Sequence, residues 1–352
     1  MPHRHLAVLW LAVLLLAPAS GQPDRVDAFI RAQMKAQNIP GLSLAVVKAG
    51  EIIKAEGYGV ADIKRQIPAR PDTVYKIASV SKQFIAAGIM LLAQDGRLAI
   101  HDPISTYLEG TPPAWKDITI GHLLTHASGL VREGPGFDPN KVQTEAEVIR
   151  SAYRSPLRFA PGERWEYGNL SYFALAEIIR RVSGQAWADY LTARVFKPCG
   201  MNTTYPTNTT AAVPNRARGY VDNDELRDAP DWPAVRPSGA FLSTVLDLAK
   251  WDAALDTGQV LTESTRRQMW TPVALNDGTA HPYGFGWFVG SLHGRRVVHH
   301  SGGMPGFRAA FARFVDDGLT IIVLMNLDDV DKDAIVNGVA AIYLPPGALP
   351  PD

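Results

Sequence analysis

The chain has 352 residues, in which 35 lysines and arginines balance 35 aspartates and glutamates. That balance excludes the basic face a nucleic-acid binder needs, and a composition 46% hydrophobic and 20% charged belongs to a folded globular protein. A single cysteine, Cys199, rules out an internal disulfide framework, a zinc-finger array and a dithiol redox pair.

The chain opens on His3, Arg4 and His5, followed by twelve apolar residues over 6–17. Small residues come next, and Ala17-Pro18-Ala19 and Ala19-Ser20-Gly21 both fit a signal-peptidase site. Crossing a bilayer takes about 20 apolar residues, so this run is too short to remain as an anchor. Residues 1–21 therefore read as a cleaved signal peptide. The mature chain is expected to be exported, periplasmic or secreted, with no stable membrane span.

Apolar residues Val26, Phe29, Ile30 and Met34 predict a helix over 24–38. Strand-like runs at 41–48 and 51–60 meet at Ala49-Gly50, a hairpin signal. Residues 79–93 are apolar nearly all round, which predicts a buried helix. The region 118–254 mixes helical stretches, 172–182 and 244–255, with long loops. One of these, 202–237, is rich in Thr, Asn, Pro and Asp and is expected to wall a cleft. Strands return at 285–289, 295–299, 309–315 and 319–325, and a helix over 332–343 precedes a proline-rich tail. This order predicts an α/β lobe built from 22–76 and 280–352, with a helical lobe, 77–279, inserted to complete one catalytic domain over 22–352.

Three short motifs carry the chemistry. Ser79-Val80-Ser81-Lys82 places a hydroxyl and an amine three residues apart, on one face of a helix. The helix dipole behind such a serine favours a developing oxyanion. Tyr167-Gly168-Asn169 offers a phenol, whose pKa a neighbouring ammonium lowers, and an amide able to hold both Lys82 and a substrate carbonyl. His300-Ser301-Gly302-Gly303 follows the 295–299 strand, and consecutive glycines there let backbone approach a ligand closely. Each match is weak alone; order and separation give them weight.

With the phrases at 122–130 (HLLTHASGL), 198–201 (PCGM), 243–251 (STVLDLAKW) and 283–287 (YGFGW), the chain resembles the serine β-lactamase and penicillin-binding protein superfamily. The nearest resemblance is to its branch of class C β-lactamases, D-alanyl-D-alanine carboxypeptidases and related esterases, over roughly residues 25–343. It implies a β-lactamase/transpeptidase-like α/β (α+β) fold, an antiparallel sheet flanked by helices with an inserted helical lobe. It also implies an acyl-enzyme mechanism on the ester, amide or β-lactam carbonyl of a small-molecule or peptide substrate, without metal or cofactor. Ser79 resembles the nucleophile and Lys82 its proton acceptor. Tyr167 resembles the second general base and leaving-group acid, and Asn169 the residue orienting Lys82 and the substrate amide. The backbone N–H groups of Ser79 and Gly303 match an oxyanion hole, and His300, Ser301 and Gly302 the substrate-binding strand. Which of Lys82 and Tyr167 takes the serine proton stays open, as does the oligomeric state.

His300 stands where β-lactamases carry lysine, which favours esterase or D-Ala carboxypeptidase-like activity over that of a true class C-like β-lactamase. A non-catalytic peptidoglycan- or ligand-binding relative is the alternative of another class. Such a module has no need to retain Ser79, Lys82, Tyr167 and Asn169 together. His122 and His126 sit four apart but lack a third ligand, so packing is their expected role. Glu163 and Glu166 are expected to be structural or on the surface.

Overall fold

The computed structural model describes residues 24–344, apart from 208, 210, 223–224, 233–236 and 293. The expected signal peptide, 1–21, lies outside them. Helix α1 (Arg25–Ala36) starts one residue later than expected, because the Asp24 side chain caps it by accepting from the Val26 N–H at 3.0 Å. Strands β1 (Gly41–Lys48) and β2 (Glu51–Asp62) form the expected hairpin. Its turn residues Ala49 and Gly50 both take positive φ, as a tight two-residue connection requires.

After β3 (Ile67–Pro68), the short strand β4 (Tyr75–Lys76) pairs with β5 (Phe241–Ser243) in a small separate sheet. The C-terminal part supplies β6 (Phe288–Leu292), β7 (Arg295–Met304), β8 (Phe307–Phe314) and β9 (Leu319–Met325). These join the N-terminal strands in one seven-stranded antiparallel sheet, ordered β6-β7-β8-β9-β1-β2-β3. Every residue of β9 is buried, and all of β1 except Lys48. Such continuous apolar runs arise because both sheet faces are covered.

Alternation along β1 sends Ala45 and Val47 to one face and Leu42, Leu44 and Val46 to the other. The first face joins a core built on helices α2 (Lys82–Gln94), α3 (Leu170–Ser183) and α4 (Val245–Thr257). The second is covered by α1 and α5 (Lys332–Tyr343). Helix α2 is buried from Lys82 to Leu92 and packs at Gly88 against Leu191 and Ile179, where a Cβ would fall within 3 Å of both side chains. Its apolar circumference is what a central helix with no solvent face requires.

Three boundaries differ from the sequence reading, each for a packing reason. The helix expected from Ser79 begins at Lys82, and Ala78–Ser81 form a 3₁₀ turn in front of it. The strand expected at 285–289 starts at Phe288, because Gly284 and Gly286 bend the chain against the Met269 and Lys82 carbonyls. The strand expected to stop at His299 continues to Met304. His300 to Gly303 are therefore ladder residues paired with β8, not a segment beyond the strand.

Candidate active site

Strand β4, pinned on β5, delivers the chain to Ser79 through a sharp reversal at Ala78, whose φ is +46°. A non-glycine residue there is strained and holds only where its surroundings fix it. Here Gly302 of β7 and Gly239, in the turn before β5, lie against it. A Cβ on Gly302 would lie 2.1 Å from the Ile77 carbonyl oxygen, and one on Gly239 3.5 Å from the Ala78 backbone. Within 73–92, Ser79 alone is not buried, so the packed chain opens to solvent at that side chain.

Lys82 is fully buried and its Nζ donates to Asn169 Oδ1 at 2.9 Å and to the Ser238 carbonyl at 3.1 Å. Both partners can only accept, so two Nζ protons are committed to them. Ser79 Oγ lies 3.2 Å from the same nitrogen, facing the third proton of an ammonium or the lone pair of an amine. Tyr167 hydrogen-bonds to Ser79, and its ring centre is 4.7 Å from Lys82 Nζ. The structure thus brings Ser79, Lys82, Tyr167 and Asn169 into one cluster from two distant segments.

Its electrostatics depart from the sequence reading in one respect. The Tyr167 phenol is pushed up, not down, because enclosure by protein disfavours the phenolate more than the Ser79 hydrogen bond favours it. At rest Tyr167 keeps its proton.

The loop carrying Tyr167 and Asn169 is stitched to the segment 126–132. Glu166 N donates to the His126 carbonyl, and Asn169 N and Leu170 N to the Arg132 carbonyl. The next residue, Glu133, is thereby set beside Asn169, whose Nδ2 donates to Glu133 Oε1 at 2.5 Å. Sequence reading missed Glu133, an acid in a loop of glycines and prolines with no motif around it.

His300 is 2% exposed on β7 and linked to the tyrosine loop by a chain of hydrogen bonds with one consistent direction. Gly168 N–H donates to His126 Nδ1, so His126 carries its proton on Nε2, toward Tyr283 Oη at 3.2 Å. Tyr283 Oη lies 3.1 Å from His300 Nε2, and His300 Nδ1 reaches the Ser301 carbonyl at 2.7 Å. That carbonyl can only accept, so His300 is protonated on Nδ1 and receives the Tyr283 proton on Nε2. Both imidazoles are neutral in this arrangement. Burial, with the Lys82 ammonium second, pushes the His300 pKa down to about 3.

Two expectations for the third motif therefore change shape. His300 contributes no charge, and its ring is occupied by Tyr283 and the Ser301 carbonyl. Ser301 pairs with Ala310 on the sheet face covered by α5, opposite the face on which Gly302 meets Ile77. The Arg308 guanidinium crosses Gly303 on that same outer face. Gly302 serves by lacking a side chain.

The neutral histidine has a measurable signature. A free histidine titrates near 6.5, so as pH falls below about 6.5 the unfolded chain takes a proton that folded His300 refuses until about pH 3. Stability is expected to decline across that window, and the His300 ring to stay unprotonated from pH 8 down to 5 by NMR. A His300 resonance titrating near 6.5 contradicts this assignment.

The other candidates prove structural. His122 closes a capping box with Thr119 on helix Ile120–Leu124, and His126 is packed among Tyr167, Tyr172 and Tyr283. Glu166 pairs with Arg158, and Glu163 accepts from Ala160 N. Cys199 is buried, and its thiol is pushed up to about 12. Among the described residues no group of three or more His, Cys, Asp or Glu is placed to hold a metal ion, and no helix is long and apolar enough to cross a membrane.

The β-lactamase family model matches residues 26–343. The chain belongs to the β-lactamase family. It is 31% identical over 309 residues to penicillin-binding protein 4* of Bacillus subtilis, covering 82% of this chain and 68% of that protein. It is 27% identical over 301 residues to a D-aminopeptidase of Gluconobacter oxydans, covering 82% of this chain and 56% of that one. The fold is shared with D-amino acid amidase from Ochrobactrum anthropi SV3, at TM-score 0.80 and 24% identity over 90% of this chain and 98% of the other. This β-lactamase family member is a serine hydrolase.

Proposed function

We propose that the protein is an exported hydrolase of amides or short peptides, working through an acyl-enzyme on Ser79, with D-aminoacyl substrates carrying a free amino group preferred. One observation carries the choice of substrate. The Glu133 carboxylate, hydrogen-bonded to Asn169, and the Arg132 guanidinium both stand at the edge of the cluster, while the position held by lysine in β-lactamases is a neutral histidine. A carboxylate beside the reacting atoms attracts an ammonium and repels an anion. Substrates that present a carboxylate at the β7 strand, β-lactams and D-alanyl-D-alanine peptides alike, meet no cation on His300. The D-aminopeptidase relative supports the same choice. The penicillin-binding protein relative keeps D-Ala carboxypeptidase-like activity as the second reading.

In the proposed cycle Lys82, having lost its ammonium proton, takes the Ser79 hydroxyl proton as its neutral amine while Oγ bonds to the carbonyl carbon. The N–H groups of Ser79 and Gly303 receive the oxyanion. Tyr167, protonated at rest, gives its proton to the leaving nitrogen as the C–N bond breaks, and the Lys82 ammonium returns one to the phenolate. Water, giving a proton to the same pair, then bonds to the ester carbonyl carbon, the C–Oγ bond breaks, and the pair returns that proton to Ser79 Oγ.

A panel of D-alanine p-nitroanilide, its N-acetyl derivative, p-nitrophenyl acetate, a chromogenic cephalosporin and a D-alanyl-D-alanine peptide tests the reading. The free-amino anilide is expected to have the highest kcat/KM among the nitrogen-leaving substrates. Glu133→Gln should cut it roughly ten- to a hundredfold, the weight of a hydrogen bond to a charged group, and spare the acetate ester. Faster turnover of the N-acetyl form or of the cephalosporin by the wild type would replace this reading with the carboxypeptidase or β-lactamase one.

A further inference from the structure

A cavity of about 580 Å³ lies outside the catalytic cluster, and none of Ser79, Lys82, Tyr167 or Asn169 lines it. It is bounded by the end of β2, β3 and the β3–β4 connection, the segments 213–219 and 229–231 that flank the paired strands Tyr220–Asp222 and Leu226–Asp228, and Phe307 at the start of β8. Its lining holds five cationic side chains, Arg65, Arg70, Lys76, Arg216 and Arg218, against two carboxylates, Asp62 and Asp231.

The cations are held by packed structure. Lys76 is 2% exposed, and its Nζ sits 2.5 Å from Asp231 Oδ1, which Arg216 Nη2 also reaches at 3.0 Å. One carboxylate thus serves two cations, one of them cut off from water, which leaves the three groups with a net positive charge. Asp231 itself is mostly exposed. Arg218 is paired with Asp228 at 2.7 Å, whereas the exposed Arg70 forms no ion pair with a described residue.

The backbone behind these side chains is fixed. Val74 N donates to the Asn215 carbonyl, Ala217 N to that of Val74, and Arg218 N to that of Ala61. Gly219 and Gly306 bring the hairpin onto the β7–β8 turn so closely that a Cβ on Gly219 would sit 2.5 Å from the Phe307 ring and one on Gly306 2.5 Å from Ala229 Cβ. The volume is that of a small-molecule site.

We propose that this cavity is a second binding site, for a compact oxyanion carrying two or more negative charges, held between Lys76, Arg216 and Arg70. Polycarboxylates and phosphates share that chemistry, and guanidinium groups suit both because they offer paired donors. The site is independent of the reaction proposed above.

Calorimetric titration of the mature chain at 0.15 M salt with citrate, and separately with inorganic phosphate, tests it. At least one probe is expected to bind with Kd of about 1 mM or tighter, and the stronger of the two identifies the class. Arg70→Glu, which alters an exposed residue, and Arg216→Gln should each weaken binding at least about tenfold with the melting temperature nearly unchanged for Arg70→Glu. Prior phosphonylation of Ser79 by a fluorophosphonate should leave binding unchanged. No binding of either probe, binding unaffected by both substitutions, or binding abolished by phosphonylation would overturn the assignment. The last result would place the anion in the catalytic cleft.

Discussion

Replacing Ser79 with alanine is expected to lower kcat on the best substrate by on the order of 10⁴–10⁶, the loss seen when a nucleophile is removed from a serine hydrolase. The same variant should lose the single fluorophosphonate adduct that intact-mass spectrometry detects on the wild type. The expectation rests on position. Ser79 is the one residue between 73 and 92 that is not buried, follows the strained Ala78, and lies 3.2 Å from the Lys82 amine. The substitution removes only an oxygen from a turn whose backbone is held by Ile77 on Phe241 and by Gly302. Folding should therefore survive, and the loss reads chemistry. An adduct that persists in Ser79→Ala, or activity within tenfold of wild type, would move the nucleophile elsewhere.

The next largest effects are expected at Lys82 and Tyr167. Lys82→Ala and Tyr167→Phe should each cost on the order of 10²–10⁴ in kcat, the usual weight of general acid–base catalysis. The double variant should cost little more than the worse single one, because a proton relay fails when either member is missing. Tyr167→Phe keeps the ring that packs against His126 and Lys82 and removes only the hydroxyl, with its proton and its hydrogen bond to Ser79, so its effect should fall on kcat rather than on stability. Lys82→Ala is different. It leaves Asn169 Oδ1 and the Ser238 carbonyl without their buried donor, at roughly 1–3 kcal/mol each, so a lower melting temperature should accompany the lost activity. Losses that multiply in the double variant would mean two independent roles. Loss of activity in Tyr167→Phe below tenfold would leave Lys82 to serve both half-reactions.

Much of this protein is legible in one dimension. The runs that became β1, β9 and α5 are continuous or amphipathic apolar segments closed by turn residues, and their boundaries emerge as read, 41–48, 319–325 and 332–343. Period and punctuation are local properties, so local reading suffices for them. The grouping of Ser79, Lys82, Tyr167 and Asn169 as a candidate site was legible for a related reason, since Ser79 and Lys82 are neighbours on one turn and Tyr167 and Asn169 on another. The family resemblance linked the two pairs.

What the sequence left open is what depends on partners far along the chain. Gly302-Gly303 reads as lying beyond the 295–299 strand, yet it is strand, because pairing with β8 extends the ladder and the Ile77 backbone occupies the space a side chain would need. Tyr167 beside a lysine reads as an acidic phenol, yet enclosure outweighs the neighbouring charge and raises its pKa. His300 reads as partly charged at neutral pH, yet burial and the Tyr283 hydrogen bond hold it neutral. Glu133 carries no motif and enters the site only because the Arg132 carbonyl anchors the start of α3. Residue type and spacing determined which groups are present and which helix turn and loop bear them. Desolvation and hydrogen-bond direction, which exist only once distant segments close on one another, decided their charge states.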